Sequence, residues 1–276
     1  MGKVYSVISR KANRPFFLDR ICTQIYSGEE LLYCLGENPE LLSRDMFSEE
    51  LLTWLDEECS ANEISDVLRK LLGNKADLIQ IVGSLLSLAS FISYEEKDKI
   101  LKVMRDSASS SEFDKRKARG DFFIGKERYA YAIREYELLL ESVGDEESNR
   151  VACVYHNMGV AKARMFLFDQ AGEDFLRAYD IDEDDAHYYA YIATLRFALS
   201  EMDYVKKVGN DASMSDIMLQ LEADLENAKK AFHESEEYTD YVARQEESKE
   251  FGRSVFCSFL DSKLAEKKED YIKFVM

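Results

Sequence analysis

The sequence predicts an all-α protein, and three observations carry that prediction. The 276 residues include only 2 Pro and 12 Gly, so the turn signals of sheet proteins are scarce. Hydrophobic residues make up 46% of the chain, which is enough to form a packed core. Near the N-terminus, Ser27, Ser60 and Ser93 each precede a Glu by three positions, the capping-box spacing that marks helix starts. We therefore expect helices joined by short turns.

Residues 1–110 are predicted to form an N-terminal helical domain. Together with Asn38 and Pro39, which suit an N-cap and a first turn, the Ser-to-Glu caps predict helices near 16–26, 28–36, 39–45, 48–58, 62–72, 75–92 and 94–106. The small polar run at residues 107–111 predicts the end of this domain. The alternative is a simple turn in which Ser111 caps the next helix.

The longest apolar stretch, LIQIVGSLLSLASFIS at residues 78–93, is predicted to be a central core helix. It is shorter than the roughly 20 apolar residues that span a bilayer, so no membrane span is expected. The stretch also bears on DNA binding, because residues 64–85 could form two helices around a Gly turn. The second of these helices offers Lys75 and then almost only apolar residues, which disfavours contact with bases and phosphates.

An internal repeat follows the N-terminal domain. A helical Gly, an Ala and an aromatic residue recur with one constant offset, since Gly120, Ala132 and Tyr136 return as Gly159, Ala171 and Phe175. A third copy begins in residues 186–199, where Ala193 follows Gly159 at a slightly shorter offset. Small residues at such spacing predict helices whose backbones approach closely, with the aromatic ring filling the space between them.

These segments resemble tetratricopeptide repeats, which are helix–turn–helix units of about 34 residues. Residues 152–185 match through Tyr155, Met158, Gly159, Ala171, Phe175 and Ala178, and residues 113–146 match through Gly120, Phe123, Ala132 and Tyr136. The first unit is followed by extra residues at 144–150, and the third matches only in its first helix before a break at 205–213. The resemblance implies two full repeats and a partial third within residues 111–205.

Residues 206–276 are predicted to form a long amphipathic helix, or two nearly continuous ones, followed by C-terminal capping helices. At the other end of the chain, residues 1–110 resemble uncharacterised N-terminal regions of Gram-positive bacterial repeat proteins. This resemblance implies a bacterial source but no activity.

The resemblance to tetratricopeptide repeats also implies that a peptide or partner helix binds in a concave groove lined by the first helix of each unit. The candidate groove residues are Lys117, Asp121, Ile124, Cys153, His156, Asn157, Val160, Arg164, His187, Tyr191, Thr194 and Phe197. Chaperone-tail binders of this family hold a terminal carboxylate with a clamp of Lys and Asn residues. Lys117 and Asn157 match that clamp, but Asp121 replaces an Asn, while His187 and Tyr191 replace two cations. Capture of a carboxylate is therefore not expected. The alternative is that the long C-terminal helix occupies the groove.

The charge balance restricts the partners. The chain has 36 Lys and Arg residues against 54 Asp and Glu residues, a net charge of -18, which disfavours nucleic acid and anionic membranes. We expect instead a protein or peptide that carries basic residues beside apolar anchors. A local basic cluster is predicted to be a solvated face, because it lacks the apolar core of a signal peptide. It consists of Lys3, Arg10, Lys11, Arg14 and Arg20.

No pattern in the chain predicts catalysis, a metal or a cofactor. Cys153 and His156 lie three residues apart but supply too few metal ligands, and the acidic run at residues 180–187 lacks the Gly and distal Glu of a calcium loop. The 5 Cys residues are scattered and odd in number, which is typical of reduced thiols in a cytoplasmic protein. The sequence thus predicts a non-catalytic, cytoplasmic protein-interaction adaptor. The alternative is a peptide-responsive regulator in which the repeats sense a peptide and the N-terminal region acts, possibly on DNA.

Overall fold

The computed structural model describes residues 8–143, 148–208 and 215–275. The chain is 79% helical, with fourteen α-helices and a single two-stranded hairpin in that part of the chain. The prediction of an all-α fold is confirmed. The chain divides into two compact units, Met1–Ala118 and Arg119–Met276. The predicted domain limits near residues 110 and 205 stay predictions.

The first unit holds the hairpin and five helices. These are β1 (Phe16–Leu18), β2 (Thr23–Ile25), α1 (Gly28–Glu37), α2 (Glu49–Glu57), α3 (Asn62–Gly73), α4 (Leu78–Leu86) and α5 (Tyr94–Ala108). Three short 3-10 turns lie between them, at Asp19–Ile21, Pro39–Leu41 and Arg44–Met46.

The predicted helix at residues 16–26 is wrong, because this segment forms the hairpin. Strands β1 and β2 pair antiparallel with Phe16 opposite Ile25 and Leu18 opposite Thr23. The alternation of the strands buries Leu18 and Ile25, and the left-handed backbone of Cys22, at φ 45°, closes the turn between them. Aromatic and β-branched side chains suit such a half-buried pleated pair.

Two further helix predictions are corrected. The helix expected at residues 39–45 is two 3-10 turns, because the backbone of Leu42 is extended between them. The helix expected at residues 75–92 is limited to α4, which begins after a capping box formed by Asp77 and Gln80.

The predicted Ser caps hold at two of three positions. Ser27 accepts from the N–H of Glu30 at 3.2 Å, and Ser93 forms a full capping box with Glu96. Ser60 does not cap α3, because its backbone is left-handed at φ 51° and Ala61 takes the N-cap position.

Helix α4 lies in the core of the first unit. Its buried residues are Ile81, Val82, Gly83, Leu85 and Leu86, and it carries neither Lys nor Arg. Within the described ranges, no helix is both long and apolar enough to cross a lipid bilayer.

Nine helices of the described chain follow, the first of which crosses the boundary between the units. They are α6 (Glu112–Gly125), α7 (Tyr129–Val143), α8 (Asn149–Arg164), α9 (Phe168–Asp182), α10 (Asp185–Ala198), α11 (Glu201–Val208), α12 (Ser215–His233), α13 (Glu236–Phe251) and α14 (Arg253–Val275). Parts of the predicted insertion (144–147) and of the predicted break (209–213), like Lys3 of the basic cluster, lie outside the described residues.

Hairpins α6–α7 and α8–α9 have the same internal geometry. A side chain at Gly120 would overlap the ring of Tyr136, and a Cβ at Gly159 would lie 2.9 Å from Cε1 of Phe175. The turns correspond as well, because Glu127 and Phe166 are related by the same sequence offset as the two Gly residues and are both left-handed, at φ 57° and 63°. The sequence offset is thus matched by corresponding contacts and corresponding turns.

The C-terminal helices pack on two different helices of the second unit. On α12, Leu221 joins a cluster that includes Ile192 and Leu195 of α10. The hydroxyl of Tyr189 also donates to Asp224 at 2.8 Å. At the end of α14, the ring of Phe274 lies 5.0 Å from that of Tyr129 on α7.

Candidate partner-binding face

Helix α8 presents one face that is available for contact. Cys153 and Arg164 are exposed on it and Val160 is half-buried, at spacings of seven and four residues that keep the three side chains on one side of the helix. The rest of the helix packs against α7 and α9, with the small and apolar residues Ala152, Val154 and Ala161 fully buried. We call the exposed side of α8, with the adjoining residues of α6 and α10, the α8 face.

A part-buried polar bridge links α8 to α6 and α7. Asp121 Oδ1 accepts from the hydroxyl of Tyr136 at 2.6 Å and from Nδ2 of Asn157 at 2.8 Å. Burial raises the pKa of Tyr136, and the hydrogen bond to Asp121 raises it further, so this phenol remains a donor. The amide of Asn157, one of the candidate groove residues, therefore holds α6 and α8 together.

A histidine pair links α8 to α10. Nδ1 of His156 lies 2.8 Å from Nδ1 of His187, and Nε2 of His187 lies 3.4 Å from Asp182 Oδ2. Of the two Nδ1 atoms one must donate and the other accept, so the contact requires at least one neutral ring. Burial lowers the pKa of His156, and the neighbouring His187 lowers it further.

On α10 the candidate residues differ in accessibility. His187 and Thr194 are only 6% and 4% exposed, and Tyr191 is half-buried. A Cβ at Gly172 of α9 would lie 2.9 Å from Thr194 Oγ1 and 3.7 Å from Tyr191 Cδ2, so both side chains pack against that helix. Phe197, in contrast, is 57% exposed.

The accessible line on α10 consists of Ala186, Ala190 and Phe197, of which Ala190 is half-buried. Sequence reasoning missed the two alanines because a methyl group carries no recognisable binding chemistry. The available signal was their helical spacing from Phe197.

On α6, Lys117 and Ile124 are half-buried. Lys117 lies on the part of the helix that belongs to the first unit, so the α8 face is described from Asp121 onward.

Two buried ion pairs support the hairpins, and neither was predicted. Arg119 pairs with Glu135 at 3.1 Å, and Lys162 pairs with Asp174 at 2.7 Å. Glu135 and Asp174 occupy corresponding positions of the two hairpins, each directly before the packing aromatic residue. Burial raises the pKa of Asp174, which Lys162 counteracts. The sequence signal was this acidic residue next to each aromatic ring.

The thiols and carboxylates have no metal-binding arrangement in the described part of the chain, where no group of three or more His, Cys, Asp or Glu side chains could hold an ion. All five cysteines are free; Cys153 and Cys257 are exposed and the other three are buried. Along the α8 face, the bridging polar groups serve the fold. Among the candidate residues on this face, Cys153, Arg164 and Phe197 are exposed and Val160 is half-buried.

Comparisons with protein-family models, with curated proteins and with solved structures gave no match to this chain. The assignment of function therefore depends on the geometry of the α8 face.

Proposed function

We propose that this chain is a non-catalytic protein-interaction adaptor that binds a peptide or a partner helix along the α8 face. One observation carries the proposal: the exposed Cys153 and Arg164 and the half-buried Val160 lie on a helix that is tied to both neighbouring helices by Asp121–Asn157 and His156–His187. A surface whose underlying polar groups already have partners does not need to be ordered when a ligand binds, which lowers the entropic cost of association.

The hairpins are proposed to be units similar to tetratricopeptide repeats. The corresponding contacts of Gly120 with Tyr136 and of Gly159 with Phe175 support this assignment. We also propose a cytoplasmic location, which the five free thiols favour.

The proposed partner carries Lys or Arg residues next to apolar anchors. The net charge of -18 attracts basic ligands from solution, while the face itself offers Val160 and Phe197 as apolar contacts. We expect association to be slower at higher salt, because screening weakens this attraction.

The proposal is tested by selecting a phage-displayed library of random peptides on the full-length protein and measuring the enriched peptides by fluorescence anisotropy. Val160→Lys should weaken their binding by about tenfold or more, because it removes an apolar contact and adds a cation that repels the basic residues of the partner. The matched control is Leu138→Lys on α7, a 39% exposed apolar residue on another helix, which should leave binding within about twofold.

Asn157 and Tyr191 are left unchanged in this test, because their side chains also support packing. Equal affinity of Val160→Lys and the parent would exclude the α8 face as the site. Hydrogen exchange measured with and without peptide separates two modes of action, since slowed exchange within residues 8–118 on binding would favour a peptide-responsive regulator over a plain adaptor.

A further inference from the structure

Three aromatic rings form a patch that shares Phe197 with the α8 face. Phe166 lies in the turn between α8 and α9, Phe168 begins α9, and Phe197 lies near the end of α10. The ring of Phe168 stacks on Phe197 with centroids 5.3 Å apart, and Phe166 meets Phe168 edge-on at 6.1 Å. Phe166 is 68% exposed and Phe197 is 57% exposed. We call these three residues the aromatic shelf.

The fold does not account for a Phe at position 166. Its backbone is left-handed at φ 63°, a conformation that is unfavourable for a bulky side chain. The other non-Gly residues with positive φ in the described ranges are smaller or hydrophilic: Cys22, Ser60, Lys75, Glu127 and Glu183. Phe166 thus combines backbone strain with exposure of a large apolar ring.

The preceding hairpin shows that this turn does not require an aromatic residue. Glu127 occupies the corresponding position, at φ 57°. The backbone hydrogen bonds also correspond, with Arg128 N–H donating to Phe123 O at 2.8 Å and Leu167 N–H donating to Lys162 O at 3.0 Å. Because a polar residue supports the same geometry, the strain and exposure of Phe166 point to a role in binding.

We propose that the aromatic shelf receives a bulky aliphatic or aromatic side chain of the protein partner, with a Lys or Arg beside it. This inference rests on the proposed function and specifies where the apolar anchor of the partner binds. Asp169 follows Phe168, Glu201 lies four residues after Phe197 and Arg164 lies two residues before Phe166, and all three side chains are exposed. Arg196, directly before Phe197, is paired with Glu222 at 2.9 Å. Two acids against one base favour a cationic neighbour, and rigid stacked rings are effective apolar contacts.

The deciding variant is Phe166→Asn, studied with the peptides enriched on the parent protein. Asn tolerates the left-handed conformation, so the variant should unfold at the same temperature as the parent or higher. Its affinity for the peptides should nevertheless fall by about tenfold or more, because the edge of the shelf is lost. A structural role would make stability and affinity fall together.

Glu127→Asn is the matched control, because it makes a change to the same residue type at the corresponding turn position of the α6–α7 hairpin. It should leave peptide affinity within about twofold of the parent. The enriched peptides should share a large apolar residue next to Lys or Arg. Replacing that apolar residue by Ser should lower the affinity of the peptide for the parent protein, whereas the already low affinity for Phe166→Asn should not fall further.

The outcomes separate this inference from the proposed function. Peptides that lose affinity for Val160→Lys but bind Phe166→Asn as tightly as they bind the parent would overturn the role of the aromatic shelf and retain the α8 face as the site. Absence of any enriched peptide would contradict both. A dimer of the parent in sedimentation analysis that Phe166→Asn converts to monomer would identify a second copy as the occupant and overturn the inference.

Discussion

The backbone of Gly159 lies against the ring of Phe175, so that a Cβ atom at residue 159 would be 2.9 Å from Cε1 and 3.0 Å from Cζ of that ring. Gly120 has the same relationship to Tyr136 in the preceding hairpin. Each ring fills the volume that a methyl group on the Gly would need. The close approach of the paired helices therefore depends on the absence of a side chain at these two positions.

Gly120→Ala should lower the free energy of unfolding by about 1–3 kcal/mol, since overpacking forces the buried Tyr136 out of position. Gly125→Ala is the control on the same helix, because no atom lies within 4 Å of its added Cβ. It should leave stability unchanged or raise it by up to about 1 kcal/mol. Urea unfolding followed by circular dichroism measures both; equal destabilisation by the two changes would contradict the close contact at Gly120.

Lys162→Met should lower the free energy of unfolding by about 3–5 kcal/mol, because it leaves the buried carboxylate of Asp174 without its cation. Adding Asp174→Leu should restore most of the lost free energy of unfolding, since no uncompensated charge then remains. Chemical denaturation of the single and double variants tests the pair. If the double variant is no more stable than Lys162→Met alone, the ion pair is not the source of the loss.

Acidification should weaken the second unit through His156. Burial and His187 lower its pKa in the folded protein, so the unfolded chain binds this proton more readily than the folded one. The stabilisation is fully present above the unfolded pKa of about 6.5 and is lost as pH falls below it toward the folded pKa.

The test of this pH dependence compares the parent with His156→Gln, which can still donate to His187 but does not titrate. Near the His156 ring, His187 disfavours its protonation, whereas Asp182 and Asp184 favour it. The free energy of unfolding should fall more steeply below a pH of about 6.5 in the parent than in the variant. If the free energy of unfolding has the same pH dependence in the parent and in His156→Gln, His156 is not the cause of the acid destabilisation.

The five cysteines should divide into two classes in a thiol-exchange assay on the native protein. Cys153 and Cys257 are exposed and should react first, whereas Cys22, Cys34 and Cys59 are buried and should react only on unfolding. Burial, the largest effect, raises the pKa of Cys59 to about 11, which reduces its reactive thiolate further. With Cys257→Ser, a single fast thiol should remain; two fast thiols in that variant would contradict the burial of the N-terminal cysteines.

Local sequence signals predicted much of the fold and little of the site. Caps at Ser27 and Ser93 predicted helix starts correctly, because the cap is formed within three residues. The hairpin at residues 16–25 was missed because alternation over two strands of three residues is too short to be distinguished from a helical pattern. Among the groove candidates, the type of residue at His187 or Thr194 did not reveal whether its side chain is exposed.

The sequence by itself determined the helical class and the corresponding positions of the hairpins, because the scarcity of Pro and Gly, the capping residues and the constant offset between the hairpins act through neighbours along the chain. Only the tertiary structure decided the use of the polar and aromatic residues. In the folded protein Asn157 is hydrogen-bonded to Asp121, and His156 to His187. Lys162 forms an ion pair with Asp174, and Phe166 is exposed. These outcomes depend on the rotation of each helix against its neighbours, which is set by the packing of many side chains together and is not encoded in the spacing of any few residues.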